Sequence, residues 1–163
     1  MDEIRIRPAT PSDIPHVVLH RKRMFADMGR GTEADREAMG LTTAAYLRDA
    51  MPSGKYRGWL AETSAGDVVS GVGVAIYDWP GSPDDPAQRR GIVINVYTEP
   101  EFRRRGIARR LMDTLVEWCR AEGFGSVALH ASKDGRPLYE AMGFQPTNEM
   151  RLKFVQRINR TRP

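Results

Sequence analysis

The chain has 163 residues, 40% of them hydrophobic and 28% charged, and its 25 Lys+Arg against 21 Asp+Glu give a formal charge of +4. That length suits one domain able to bury about two-thirds of the surface its unfolded chain would expose. The single cysteine, Cys119, excludes an intramolecular disulfide, and no apolar run approaches membrane-spanning length.

In chain order, Ile4 and Ile6 alternate with charged neighbours over residues 3–7, the pattern of a short half-buried strand. Thr10-Pro11-Ser12-Asp13 then supplies a cap, a proline for the first helical position and an acidic third residue, and Ile14, Val17, Val18, Arg21 and Phe25 recur on one face of a helix that Gly29-Arg30-Gly31 breaks. A second helix is expected over about Thr42 to Ala50, stopped by Met51-Pro52-Ser53-Gly54. Strands at about 56–62 and 68–77 form a hairpin across the polar turn Thr63–Asp67, and the proline-rich run from Trp79 to Pro86 is a surface loop. Ile92–Thr98 is strongly strand-forming, and its nearly continuous apolar character suits a central strand covered on both faces.

Ile107, Leu111, Leu115 and Trp118 fall at helical spacing, and Glu122-Gly123 closes that run. Val127–His130 is a short strand, Pro137–Met142 a short helix ended by Gly143, and Arg151–Val155 a last strand before a basic tail. This order of elements implies an α/β fold with one central mixed sheet flanked by helices. Residues 1–156 are expected to form the single domain and 157–163 the tail. The opening Met1-Asp2-Glu3-Ile4-Arg5 lacks the basic-then-apolar order of a signal peptide, so the expected compartment is cytoplasmic.

Between the strand at 92–98 and the helix at 107 lies Pro100-Glu101-Phe102-Arg103-Arg104-Arg105-Gly106-Ile107-Ala108-Arg109-Arg110. The free N–H groups of a helix's first turn and its positive dipole end attract phosphate. Gly106 and Ala108 carry too little side chain to hold an oxygen away from that backbone, so the stretch reads as a cradle for a cofactor's polyphosphate.

Here the sequence resembles the GNAT superfamily of acetyl-CoA-dependent N-acyltransferases. Arg103-x-x-Gly106-x-Ala108 is similar to that family's Gln/Arg-x-x-Gly-x-Gly/Ala signature, and Leu138-Tyr139-Glu140-Ala141-Met142-Gly143-Phe144 to its second landmark, a Tyr-Glu helix ending in Gly-Phe. The resemblance runs from about Ile92 to Phe144. It implies a sheet splayed at the cofactor strand, with main-chain groups of Val96, Tyr97 and Thr98 pairing with the pantetheine arm of acetyl-CoA. N–H groups of Arg104, Arg105, Gly106, Ile107, Ala108 and Arg109 would hold the pyrophosphate. Two pantetheine amides need partners, and an open strand offers them in ladder geometry.

The resemblance gives Tyr139 the role of general acid toward the coenzyme A thiolate, where residue type alone would read core packing with the hydroxyl at the rim. His130 ends the strand before that helix, where many relatives hold a base, and its ordinary pKa suits the task; a histidine satisfying a strand-end carbonyl is the other reading. Ser132 falls seven before Tyr139, where much of the family has an asparagine touching the cofactor. The acceptor side is expected from the first helices, their loop and the hairpin, with Phe25, Met28, Arg30 and Tyr77 as lining. Asn95 could orient the substrate or hold a splayed backbone apart. The expected activity is acetyl transfer to a primary amine of a small molecule or peptide by direct attack in a ternary complex. The alternative is a non-catalytic acyl-CoA sensor of the same fold.

Other motifs fail on context. His16-x-x-x-His20 has metal-ligand spacing but no glutamate after the first histidine and no third ligand, so no metal is expected. Gly123-Phe124-Gly125-Ser126-Val127-Ala128 mimics a dinucleotide fingerprint but follows a helix and opens a strand, the reverse of what that motif needs. Cys119 reads as core packing. The basicity is local, at 89–90, 103–105, 109–110, 157, 160 and 162, and comes without a nucleic-acid-binding motif. The last strand and tail could pair with a second copy to make a homodimer.

Overall fold

A computed structural model of the chain describes residues 3–154. It opens on strand β1 (Arg5–Pro8), a single tight turn at Pro11–Asp13, and helices α1 (Ile14–Asp27) and α2 (Glu33–Ala50). Strands β2 (Tyr56–Glu62), β3 (Val68–Asp78) and β4 (Arg89–Thr98) follow, then a turn at Pro100–Phe102, helix α3 (Ile107–Ala121), strand β5 (Val127–Leu129) and helix α4 (Arg136–Ala141). The sheet order is β1-β2-β3-β4-β5; the first four strands form an antiparallel meander and β5 runs parallel to β4.

Local chemistry sets the entry to the first two helices. The Asp13 carboxylate accepts from the Thr10 N–H at 2.8 Å and its hydroxyl at 3.0 Å, and receives the Arg7 guanidinium through two bonds. That pairing holds the Asp13 carboxyl well below the usual carboxylate range, with burial opposing it. Helix α2 begins nine residues before the expected Thr42 because Thr32 and Asp35 cap it reciprocally: the Asp35 N–H donates to Thr32 Oγ1 at 3.1 Å, and the Thr32 N–H to Asp35 Oδ2 at 2.8 Å.

The sheet separates two apolar layers. On one face Ile14 and Val17 of α1 and Leu47 and Ala50 of α2 close over Tyr56 and Leu60, with Ile94 at the margin. On the other, Ile107, Leu111, Met112, Leu115 and Cys119 of α3 pack on Trp59, Ala61, Val72, Val74 and Val93, joined by Tyr139 of α4. The spacing of those α3 positions is the apolar stripe of a helix lying on a core. Burial pushes the Cys119 thiol up to about 11, in keeping with a packing role.

The expected final strand does not form over residues 151–154, where Leu152 and Phe154 are exposed and no pairing exists among the described residues. Val155 and the basic tail lie outside the described residues. No helix among the described residues is long and apolar enough to cross a membrane.

Candidate active site

β4 changes phase near its C-terminal end. Gly71 pairs with Tyr97 and Gly73 with Ile94, so Val72 alone faces both Asn95 and Val96. The extra residue is a β-bulge, and Asn95 absorbs it at φ +59°, a left-handed conformation that asparagine tolerates better than most residues. Before the bulge Val93 faces α3 and Ile94 faces α1 and α2; after it Val96 joins the α3 layer and Tyr97 stacks on His20 of α1, ring centroids 5.1 Å apart. One inserted residue therefore moves every later side chain to the opposite face.

The same strand outruns its neighbour. β5 pairs only with Gly91, Ile92 and Val93, leaving β4 from Ile94 to Thr98 without a partner on that edge among the described residues. The Glu99 N–H donates to the Val69 carbonyl on β3 at 2.9 Å. Main-chain groups alternate edges along an antiparallel strand, so Tyr97 also faces β3 while Val96 and Thr98 face the opening. The Tyr97 main chain thus faces the β3 ladder, and its carbonyl further accepts from Ser70 Oγ at 2.7 Å. The Thr98 carbonyl already accepts from Arg103 Nε at 2.9 Å.

The loop after β4 turns through two left-handed residues, Arg104 at φ +63° and Gly106 at φ +75°, and Gly106 caps α3. The first helical bond runs from the Arg110 N–H to the Gly106 carbonyl at 3.1 Å. From Arg104 through Arg109 the main-chain N–H groups meet no protein acceptor among the described residues. A run of convergent amides at a helix N-terminus is an oxyanion site. The arginines divide the labour. Arg103 is spent on the Thr98 carbonyl and on Asp27 of α1, Arg105 lies over the Phe102 ring, Arg109 pairs with Asp113, and Arg110 donates to the Ile4 carbonyl.

Tyr139 is only 8% exposed, and burial raises its phenol above the ordinary value. Its ring packs against Phe144, and a methyl on Gly135 would fall 2.9 Å from its Cε2 atom and 3.1 Å from Ser132 Oγ, so these three residues touch. Ser132 Oγ accepts from the Gly135 N–H at 3.1 Å, a bond that starts α4. Tyr139 lines a groove of about 870 Å³ with Arg109, His130, Arg136 and Tyr77. His130 is exposed there; its Nε2 accepts from Arg151 at 2.7 Å and lies 3.5 Å from Glu149. A second hollow of about 630 Å³ is lined by Arg23, Asp27, Asp67, Glu99 and Glu101 among others.

On the other face of the sheet the acceptor-side residues divide. Asn95 is 5% exposed, and its Oδ1 accepts from Arg21 Nη1 at 2.7 Å. Phe25, one turn on in α1, carries the guanidinium groups of Arg21 and Arg30 each 5.1 Å from its ring centre. Tyr77 stands apart, on the groove shared with Tyr139 and edge-on to Trp79, and Met28 is the exposed cap of α1. Arg21 and Tyr56 are the residues sequence reasoning missed. The signal for Arg21 was its position, a cation on the otherwise apolar face of α1. His20 is 2% exposed, and burial pulls its imidazole down to about 4, so it packs as a neutral ring. Among the described residues no group of three or more His, Cys, Asp or Glu could hold a metal ion.

Comparison with known proteins bears on the family and the fold. The sequence profile of the Acetyltransferase (GNAT) family matches residues 25–144. N-acetyltransferase family 8 member 3 of Rattus norvegicus is 32% identical over 103 residues, which cover 61% of this chain and 43% of that protein. N-acetyltransferase 8 of Homo sapiens is 31% identical over 96 residues, 56% of this chain and 39% of that protein. The chain thus spans less than half the length of these curated relatives. Among solved structures, a GCN5-related N-acetyltransferase from Ralstonia eutropha JMP134 superposes with a TM-score of 0.86 at 33% identity, covering 93% of this chain and 99% of that one. A "predicted acetyltransferase with acetyl-CoA" from Clostridium acetobutylicum superposes with a TM-score of 0.85 at 29% identity, covering 94% and 97%.

Proposed function

The chain belongs to the GNAT acetyltransferase family, a family of acyltransferase enzymes, and we propose that it transfers an acetyl group from acetyl-CoA to a primary amine by direct attack in a ternary complex. The observation that carries this reading is the run of unpartnered amides from Arg104 through Arg109, at the end of a strand whose edge is open. Their donor chemistry fits a diphosphate, and Arg104 and Arg105 add exposed positive charge beside them.

When bound, acetyl-CoA supplies an acetyl thioester, already activated toward amines. The residues of the chain orient and protonate around it. Val96 and Thr98 offer open-edge main-chain groups to an arm with amides of its own, and holding the two reactants together accounts for most of the rate gain. Tyr139 keeps its proton through neutral pH because burial disfavours the phenolate, and it is the proposed donor to a departing sulfur. A thiolate is a fair leaving group, so this help belongs within the roughly 10²–10⁴-fold range of acid–base catalysis. His130 is the proposed acceptor of the ammonium proton, and its Nε2 must first leave the Arg151 N–H that it accepts.

Titration calorimetry with acetyl-CoA and a thiol-release screen over a broad amine panel test the reading together. Heat on titration and thiol release with at least one amine are expected. Heat without thiol release identifies an acyl-CoA sensor instead, and the absence of both overturns the proposal.

A further inference from the structure

Arg21 is a half-buried cation without a counter-ion. Of the other half-buried arginines among the described residues, Arg7 pairs with Asp13 and Glu62 and Arg90 with Asp85, while Arg36 donates to the Arg30 and Gly31 carbonyls and Arg89 to the Glu122 carbonyl. Arg21 makes one hydrogen bond, to the neutral amide of Asn95. Asp27 pairs with Arg103, Glu99 with Arg23 and Glu37 with Lys22. Burial pulls the guanidinium down from its ordinary value, and only the Tyr56 phenol opposes that shift.

The remaining donors of Arg21 stay open to a ligand. The buried side-chain N and O atoms lacking a partner among the described residues are His20 Nδ1 and Asn95 Nδ2, so the free N–H groups of Arg21 are not sealed in protein. Asn95 Nδ2 lies buried beside them, with the Tyr56 phenol against the same amide. Arg30, over the same Phe25 ring, adds a second positive charge. All of this adjoins Val96, whose main chain faces the open edge of β4.

Building on the acetyl-transfer reading, we infer that the acceptor amine carries a carboxylate, which Arg21 binds through the guanidinium edge that Asn95 leaves free. A planar guanidinium fork matches a carboxylate in bidentate geometry. The acceptor class is therefore amino acids and related amino carboxylates, with Phe25 beneath the bound group.

The test compares α- and ω-amino acids with their carboxamides by thiol release, in the parent chain and in Arg21→Gln and Arg21→Lys, with acetyl-CoA calorimetry on each protein. The acid is expected to exceed its amide in kcat/KM by about 10–100-fold, mainly through KM. Arg21→Gln should close that gap while acetyl-CoA still binds, and Arg21→Lys should restore part of it. If Arg21→Gln does not fold, the acid-to-amide ratio of the parent and of Arg21→Lys decides alone. Equal turnover of acids and amides overturns the inference and leaves the transferase standing, as does preference for O-phosphoethanolamine, which would mark a phosphate site. An unchanged ratio in Arg21→Gln assigns Arg21 to holding Asn95 and also overturns it. Acetyl-CoA binding with no amine turned over defeats both readings.

Discussion

Tyr56 pairs with Ala75, and its ring reaches diagonally over Gly73 to fill the space a side chain would take: a methyl there would fall 2.6 Å from Cε2 and closer still to Cζ and the hydroxyl. The missing side chain on β3 lets a phenol from β2 reach across the sheet to the Asn95 amide, so Gly73 shapes the floor beneath the bulge. Gly73→Ala should destabilise the fold by about 1–3 kcal/mol, the cost of overpacking a close-packed interior. Urea unfolding checks this, and unchanged stability would mean that the ring has room to move aside.

Asn95 holds the bulge in a left-handed conformation. Asn95→Gly should keep the fold within about 1 kcal/mol, whereas Asn95→Val, β-branched at positive φ, should cost about 1–3 kcal/mol. The same unfolding measurement separates them, and equal costs would contradict a backbone role.

The loop arginines should fail in different ways. Arg103 ties the Thr98 carbonyl to Asp27, so Arg103→Gln should lower stability by about 1 kcal/mol, read as a fall in Tm. Arg104 and Arg105 are exposed beside the open amides, and Arg104→Gln and Arg105→Gln should each weaken acetyl-CoA binding by about two- to fivefold, less at high salt. Calorimetry at two ionic strengths distinguishes the outcomes.

Tyr139→Phe should lower kcat by about 10²-fold while leaving acetyl-CoA affinity within about twofold. Because burial raises the phenol pKa, the parent's alkaline limb should begin above the ordinary tyrosine value, and the variant should lack it. Unchanged kcat across the pH profile would return Tyr139 to core packing.

His20 predicts an acid-sensitive fold. Its folded pKa is about 4 against an ordinary 6.5, so between those values the unfolded chain binds the extra proton and stability rises with pH. Stability from this group is complete above about pH 6.5 and is lost as pH falls toward 4, by on the order of 3 kcal/mol. His20→Gln should flatten that limb in urea melts collected from pH 7 to pH 4.

Much of the fold was legible because its determinants are local. Alternation marked β1, the polar turn Thr63–Asp67 marked the hairpin of β2 and β3, Thr10–Asp13 marked the start of α1, and the stripe from Ile107 to Trp118 marked α3. The first turns of α2 escaped because Glu33, Ala34, Arg36, Glu37 and Ala38 carry no apolar stripe; only the Thr32/Asp35 cap announces them. Residues 151–154 show the reverse, an alternation that forms no strand.

The amide cradle could be read from order alone, since strand, turn, Gly106, small residue and helix are consecutive and a helix N-terminus always leaves donors free. The acceptor side could not. That Asn95 leaves the pleat follows from the register of β3 against β4, and that Arg21 meets the Asn95 amide and no carboxylate among the described residues follows from how α1 lies on β4. Sequence specifies which charges exist and which neighbours each has along the chain. Only the tertiary structure decides which charges are neutralised, because pairing depends on distances between residues far apart in sequence.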